Sequence, residues 1–309
     1  MKKIVVLIPT YNEQENLIEL TRRLAKVFNE NKSYSFDILF ADDGSTDDTC
    51  RIIIGLAKEN PNIKYLFLSR NYGKEICLSA GIDAAYGDAL ICMDADMQDP
   101  PELITSFIAE WENGYEDVIA YRTRREGEGF FKKYTSNLFY RIIKKSTNIY
   151  IPPNSGDFRL LDKKCVDALK QFKEKQRYNK GIFSLIGFSK KLVPFERSRR
   201  YAGKTKYKIR SLVRLAINGI TSFSTAPLKI ATFLGVIGTF ISVVFALVII
   251  IKKVVHGDPV IGFPALITLI SFLGSLQLVI LGIIGEYIGI IFNEVKDRPN
   301  YIIGQTNIS

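Results

Sequence analysis

Residues Ile230 to Ile251 and Val260 to Gly285 contain no Asp, Glu, Lys or Arg, and they constrain the fold of this chain more than any other feature. At 1.5 Å of rise per residue, about 20 apolar residues cross a bilayer core. These runs hold 22 and 26. A hairpin of buried core helices is the alternative, but uncharged runs of this length exceed what a core helix needs. The sequence therefore predicts two membrane-spanning helices. Ahead of them, Ile209, Leu212, Val213, Ala216, Ile217 and Ile220 share one helical face, with Arg210 and Arg214 off it. That pattern predicts a helix lying on the membrane surface.

Charge orients this arrangement. Residues 1–120 carry 11 basic and 21 acidic residues, whereas residues 121–214 carry 26 and 7. The basic block stands next to the apolar runs, so most of it reads as a membrane-facing surface, and no nucleic-acid partner is expected. Lys204, Lys206, Lys208, Arg210, Arg214 and Lys229 precede the first span, and Lys296 and Arg298 follow the second. This excess outweighs Lys252 and Lys253 in the connecting loop and predicts that both termini are cytosolic. The opening MKKIVVLIP resembles a signal peptide, but its apolar run stops at Pro9, so it reads as a buried strand. The expected organisation is a catalytic domain over 1–206, an amphipathic juxtamembrane region over 207–228, a two-helix membrane domain over 229–292 and a cytosolic tail over 293–309.

His256 is the only histidine, which excludes a Ser-His-Asp triad, a His-rich zinc site and a HExxH protease from the first 250 residues. Carboxylates, Lys and Arg must carry the chemistry. Cys50, Cys77, Cys92 and Cys165 lack CxxC spacing and read as reduced structural thiols. The apolar runs 4–8, 37–41, 63–68, 88–93 and 117–121 alternate with helix-like segments, the pattern of an α/β fold with a parallel sheet. Between the first two runs, Asn12 is expected to cap a helix with Glu15 reaching back to it, and Leu17, Leu20, Leu24 and Val27 form its apolar stripe. No GxGxxG or P-loop follows the first strand, so phosphate binding needs another device. Glu13, Asp42-Asp43 and Asp94-Ala95-Asp96 fall after the first, second and fourth strands, on one predicted sheet edge. Each alone reads as a helix cap or a solvated turn. Three at equivalent positions repel one another unless a cation compensates, which suits Mg²⁺ or Mn²⁺ completed by the oxygens of a nucleoside diphosphate.

The ordered runs Pro9-Thr-Tyr-Asn-Glu13, Asp42-Asp43-Gly-Ser-Thr-Asp47, Arg70-Asn-Tyr-Gly-Lys74, Asp94-Ala-Asp-Met-Gln-Asp99 and Ser155-Gly-Asp-Phe-Arg-Leu160 resemble those of family 2 glycosyltransferases of the GT-A fold. More narrowly they resemble the polyprenyl-phosphate branch, which includes dolichyl-phosphate mannose synthases and bactoprenol glucosyltransferases. The likeness covers roughly residues 4–210, and the two spans fit the bacterial type, which implies a bacterial inner membrane. It implies that Pro9, Tyr11 and Glu13 face the nucleotide, with Tyr11 able to stack on the base and Asp43 meeting a base nitrogen. Asp94, Ala95 and Asp96 match the DxD motif, Asp96 as the direct metal ligand and Gln98 as an accessory one. Arg122, Arg200 and Lys206 match basic residues near the donor phosphates. Lys133 and Ser136 correspond loosely to positions near the acceptor phosphate. Asp157 either touches sugar or acceptor or turns the chain before Phe158; as a buried acid it would show a raised pKa.

The resemblance implies inverting transfer of one sugar from a nucleotide sugar, UDP-glucose first, to polyprenyl phosphate; GDP-mannose or another UDP-hexose is the alternative donor. A processive polysaccharide synthase would need a QxxRW motif, and the only tryptophan, Trp111, lies outside such a context. A non-enzymatic scaffold or flippase subunit is disfavoured by the intact DxD. Gly235, Gly238, Gly282, Gly285 and Gly289 offer small-residue faces for a homo-oligomer.

Overall fold

The computed structural model describes residues 1–123, 152, 155–175, 177–196, 226–256 and 262–308. Lys133, Ser136, Arg200, Lys206 and the surface helix expected over 209–220 lie outside the described residues. The predicted alternation is present: β1 (Lys2–Thr10), α1 (Leu17–Glu30), β2 (Tyr34–Asp42), α2 (Thr49–Glu59), β3 (Ile63–Leu68), α3 (Lys74–Ala84), β4 (Ala89–Cys92), α4 (Leu103–Glu112) and β5 (Asp117–Arg122). Then follow β6 (Ser155–Asp162), α5 (Lys163–Leu169), α6 (Asn179–Leu185), β7 (Lys190–Phe195), α7 (Ala226–His256), α8 (Phe263–Val295) and β8 (Ile303–Thr306).

The strands form one sheet in the order β7-β5-β6-β4-β1-β2-β3-β8. β1 pairs in parallel with β2 and β4, and β2 with β3. β6 inserts antiparallel between β4 and β5, so β5 keeps the direction of β4 without touching it. β1 is apolar at every position from Ile4 to Ile8, all fully buried, because both of its faces are covered. Ile4, Val6 and Ile8 pack with the stripe Leu17, Leu20, Leu24 and Val27 of α1 and with Phe107 of α4. Val5 and Leu7 pack with Leu78 and Ala80 of α3, and with Cys165 and Phe183 beyond. The period of two thus divides one sheet between two cores. A Cβ at Gly81 would come 2.2 Å from Leu7 Cδ1, so glycine lets α3 lie close on β1. The cysteines are all free, three of them buried.

The expected Asn12 cap is not formed. α1 starts at Leu17 with Asn16 as its N-cap and no side-chain cap bond. Asn12 instead has a left-handed backbone, φ 52°, and its Oδ1 accepts the Thr46 N–H at 2.8 Å. Its side chain ties the first strand's loop to the second strand's loop.

α7 and α8 are long and apolar enough to cross a membrane. The first extends past its uncharged run at both ends, and α8 continues beyond its run through Glu286 and Glu294. Large apolar side chains stay exposed along them, Phe240 at 68% and Leu278 at 71%. Where they meet, a Cβ at Gly238 would contact Leu276 at 3.6 Å, while Gly235, Gly282, Gly285 and Gly289 face open space. Residues 303–306, expected in a tail, form β8 antiparallel to β3. Lys175 Nζ binds Asp297 at 2.9 Å and the Arg298 carbonyl at 2.7 Å, and its backbone N–H donates to Glu294. The end of α8 is therefore fastened to the sheet domain.

Candidate active site

The parallel strands β1, β2 and β4 end at one sheet edge, with β5, and β6 begins there because it runs the opposite way. Ligands of open α/β sheets bind at such an edge. A cleft of about 240 Å³ opens there, lined by Pro9, Tyr11, Glu13, Asp43, Asn71, Gly73, Lys74, Asp94, Ala95 and Asp96. The three acidic clusters do converge, and Pro9, Tyr11, Glu13, Asp43, Asp94, Ala95 and Asp96 all line this cleft.

Two adjacent carboxylates do different work. Asp42 is fully buried and accepts from Thr10 Oγ1, Ser45 N–H, Ser45 Oγ and Cys50 Sγ, so it builds the turn after β2. Asp43 lines the cleft, and its carboxylate accepts the backbone N–H of Tyr72 at 2.7 Å and of Gly73 at 2.9 Å. Burial raises its pKa, and those two donors oppose the rise. Gly44, at φ 68°, lets this turn approach the chain at Arg70: a Cβ would sit 2.5 Å from the Arg70 carbonyl carbon. Any side chain there would push the two loops apart.

The deeper part of the site gathers opposite charges. Lys74, the first residue of α3, places its Nζ 2.7 Å from Asp94 Oδ1 and 3.0 Å from Asp157 Oδ2. The reason lies in strand register. Cys92 pairs with Arg159 across β4 and β6. Continued two residues past the end of β4, that register brings Asp94 towards Asp157, and like charges brought together are destabilising unless a cation lies between them. Burial would raise the Asp157 pKa, but Lys74, with Lys180 and Arg159, outweighs it and holds the carboxyl well below the usual range. The raised pKa of a lone buried acid is thus not what Asp157 shows; it is a firmly ionised partner of Lys74. Desolvation disfavours the Lys74 ammonium, yet Asp94 and Asp157 carry its pKa well above the ordinary value.

Around this centre, Glu75 accepts the Asn179 N–H at 2.8 Å, and burial together with the Asp157 charge pushes it to about 7. Asp99 is likewise pushed to about 7 by burial and the Asp94 charge, with Arg122 Nη2 4.0 Å away pulling the other way. Gly156 leaves the space that this guanidinium uses, since a Cβ would lie 3.0 Å from Nη2. Among the described residues, Asp99 Oδ1, Asp157 Oδ1 and Arg122 Nε are buried without a hydrogen-bond partner. Such orphaned atoms are costly unless something completes them.

Among the described residues, no set of three or more His, Cys, Asp or Glu side chains is gathered to hold an ion alone. The carboxylates present are hard oxygen donors, and Mg²⁺ or Mn²⁺ is commonly held by one or two of these plus substrate phosphates. Asp96, whose Oδ1 accepts the Gln98 N–H at 3.1 Å, and Asp94, which Lys74 engages, are the oxygen donors of this run that line the cleft. Met97, between Asp96 and Gln98, takes a left-handed φ of 55°. Gln98 therefore follows a sharp turn in the chain.

Lys74 stands in the Arg70–Lys74 motif, which by itself assigns it no role. Its partner Asp157 is 83 residues away on a strand that local pattern did not reveal. Trp111 is a core residue of α4 whose Nε1 donates to Asp162, consistent with the lack of a glycan-gripping motif around it.

The model of the family named glycosyl transferase family 2 matches residues 5–170. A protein named as an uncharacterized glycosyltransferase of Synechocystis is 45% identical over 97% of this chain and 94% of its own length. The prophage-derived bactoprenol glucosyl transferase of Shigella flexneri is 41% identical over 99% of this chain and 98% of its own. Among solved structures, mannosyl-3-phosphoglycerate synthase from Rubrobacter xylanophilus aligns over 70% of this chain and 71% of its own, with 18% identity and a TM-score of 0.45. With the mixed sheet, the acidic edge and a family match over more than half its length, this chain belongs to glycosyltransferase family 2 and is a glycosyltransferase of the GT-A fold.

Proposed function

We propose that the protein transfers one sugar, glucose from UDP-glucose first, to a polyprenyl phosphate at the cytosolic face of a bacterial inner membrane, with inversion at the anomeric carbon. One observation carries the acceptor half of this reading: the likeness to bactoprenol glucosyl transferases spans 99% of this chain, both apolar helices included, and not the catalytic domain alone.

In this reading Pro9, Tyr11, Glu13 and Asp43 hold the nucleoside, with Tyr11 stacking on the base. Asp96, aided by Asp94 and Gln98, would hold Mg²⁺ or Mn²⁺, which supplies charge stabilisation for the departing diphosphate. Arg122, with Arg200 and Lys206, adds positive charge at the same phosphates, and Lys133 and Ser136 receive the acceptor phosphate. A phosphate monoester has a second pKa of about 6 and attacks as an anion. No general base has to remove a proton. This suits a region without histidine and an Asp157 committed to Lys74. The work left to the chain is to hold two anionic reactants in line and to stabilise charge on the leaving group.

The proposed division is catalytic domain 1–206, juxtamembrane region 207–228, membrane hairpin 229–292 and a cytosolic C-terminal segment. The Lys175 contacts to the end of α8 support placing that segment beside the catalytic domain. In intact cells an impermeant thiol label should then reach a cysteine introduced at Gly257 and miss one at Thr306; the reverse pattern would put the catalytic domain on the wrong side. Function is tested by offering a panel of nucleotide sugars with Mn²⁺ or Mg²⁺ and a short polyprenyl phosphate. Mass spectrometry and anomeric NMR of the extracted lipid should find one sugar, linked through phosphate and inverted. Several sugars per lipid, retained configuration or no lipid-linked product would refute the reading.

A further inference from the structure

One ammonium serves two carboxylates at the base of the cleft. Lys74 Nζ lies 2.7 Å from Asp94 and 3.0 Å from Asp157, and its side chain remains one-third exposed. A divalent cation on the Asp94-Ala-Asp96 run would compensate Asp94 in the same way with twice the charge. Two cations on one carboxylate repel each other strongly where solvent screening is weak. Lys74 has somewhere to go, because Asp157 Oδ1 is buried with no partner among the described residues and can accept the ammonium more fully.

We propose that Lys74 is a positioning residue that holds the metal's place. It neutralises Asp94 in the donor-free enzyme, keeps metal affinity low until a nucleoside diphosphate brings its own oxygens, and then withdraws onto Asp157. The inference rests on the metal-assisted reading given above and deepens it. Metal and nucleotide are then coupled ligands, each raising the affinity for the other by the same factor.

The test uses the full-length protein in detergent. Electron paramagnetic resonance of free Mn²⁺ gives the Mn²⁺ affinity with and without UDP, corrected for Mn²⁺ held by UDP alone. Wild type should bind Mn²⁺ about tenfold more tightly with UDP present, or better. Lys74→Met should bind Mn²⁺ without UDP about tenfold more tightly than wild type, on the scale of removing one adjacent charge, and should lose most of the UDP enhancement. Lys74→Arg, which keeps the charge, should restore the wild-type pattern. An unchanged Mn²⁺ affinity in Lys74→Met overturns the inference. A weaker one does so too, because it would mean that Lys74 only gathers the carboxylates. Should Lys74→Met fail to fold, equal Mn²⁺ affinity of wild type with and without UDP is sufficient to overturn it. The arm without UDP involves neither sugar nor lipid, so a wrong donor or acceptor assignment leaves it standing. Absence of Mn²⁺ binding in every form removes the metal from the reading, and the inference with it.

Discussion

Two of the cation–carboxylate groupings of the sheet domain are finished differently. Arg159 on β6 and Asp117 on β5 are 3% and 0% exposed, 3.3 Å apart, with the guanidinium over the Phe183 ring. Lys74, Asp94 and Asp157 make shorter contacts, and Lys74 and Asp94 stay partly open to the cleft. The carboxyl groups respond in opposite senses. Burial raises Asp117 despite Arg159 and Lys190, whereas the cations around Asp157 outweigh its burial. The enclosed pair is a liability that packing must hold in place. The open one is compensated in advance and keeps acceptor capacity for a ligand. Location in the sheet decides the difference, since Arg159 lies in the body of β6 and Asp157 two residues nearer the edge.

The contrast can be broken at either pole. The largest effect is expected from Arg159→Met, which strands Asp117 in the interior and should cost about 3–5 kcal/mol of stability in chemical unfolding. A loss below about 1 kcal/mol would mean that the pair is not closed after all. At the open pole, Asp96→Asn should leave the melting temperature near wild type and lower sugar transfer by about 100-fold or more, the scale of losing a major electrostatic stabiliser. Near-normal turnover with saturating donor would remove Asp96 from the site. Asp157→Asn should slow transfer by only about tenfold, comparable to one charged hydrogen bond, and Arg122→Ala should cost more than that. The reverse order would make Asp157 a proton acceptor in the reaction.

The smallest effect concerns Glu75, whose folded-state pKa of about 7 lies above its ordinary 4.5. Between those values the folded protein binds more protons than the unfolded chain, so stability falls as pH rises through that window and stays lower above it. Wild type should lose a few degrees of melting temperature between pH 5 and 8, and Glu75→Gln should flatten that slope. An identical slope in the variant would mean that Glu75 ionises normally.

Local pattern revealed what local forces determine. β1 to β5 announced themselves as apolar runs, the α1 stripe by its spacing, and the acidic clusters by falling at strand ends. The two long apolar helices were legible from missing charge, though not their ends, because a helix continues past its apolar stretch wherever polar residues such as Glu286 still favour it. β6 was not legible: Gly156, Asp157 and Arg159 interrupt its apolar pattern, and each is there for a contact made across the sheet. Lys74 was hidden for the same reason, since its meaning depends on a register between strands distant in sequence. The Asn12 cap failed because that side chain found a backbone donor in the neighbouring loop, a partner no local motif reveals. Arg200, Lys206, Lys133 and Ser136 rest on resemblance alone.

The strand β8 has a consequence for biogenesis. Thr306 Oγ1 reaches the Tyr65 carbonyl across 241 positions of sequence, and the two apolar helices are synthesised between these partners. During translation β3 is therefore an uncapped edge, a template for unwanted pairing, until both helices have been placed and the following residues can return to it. Completion of the sheet becomes a report that both helices have been made and placed. A chain whose hairpin stalls would carry an open β3 edge, the kind of surface that chaperones and proteases recognise.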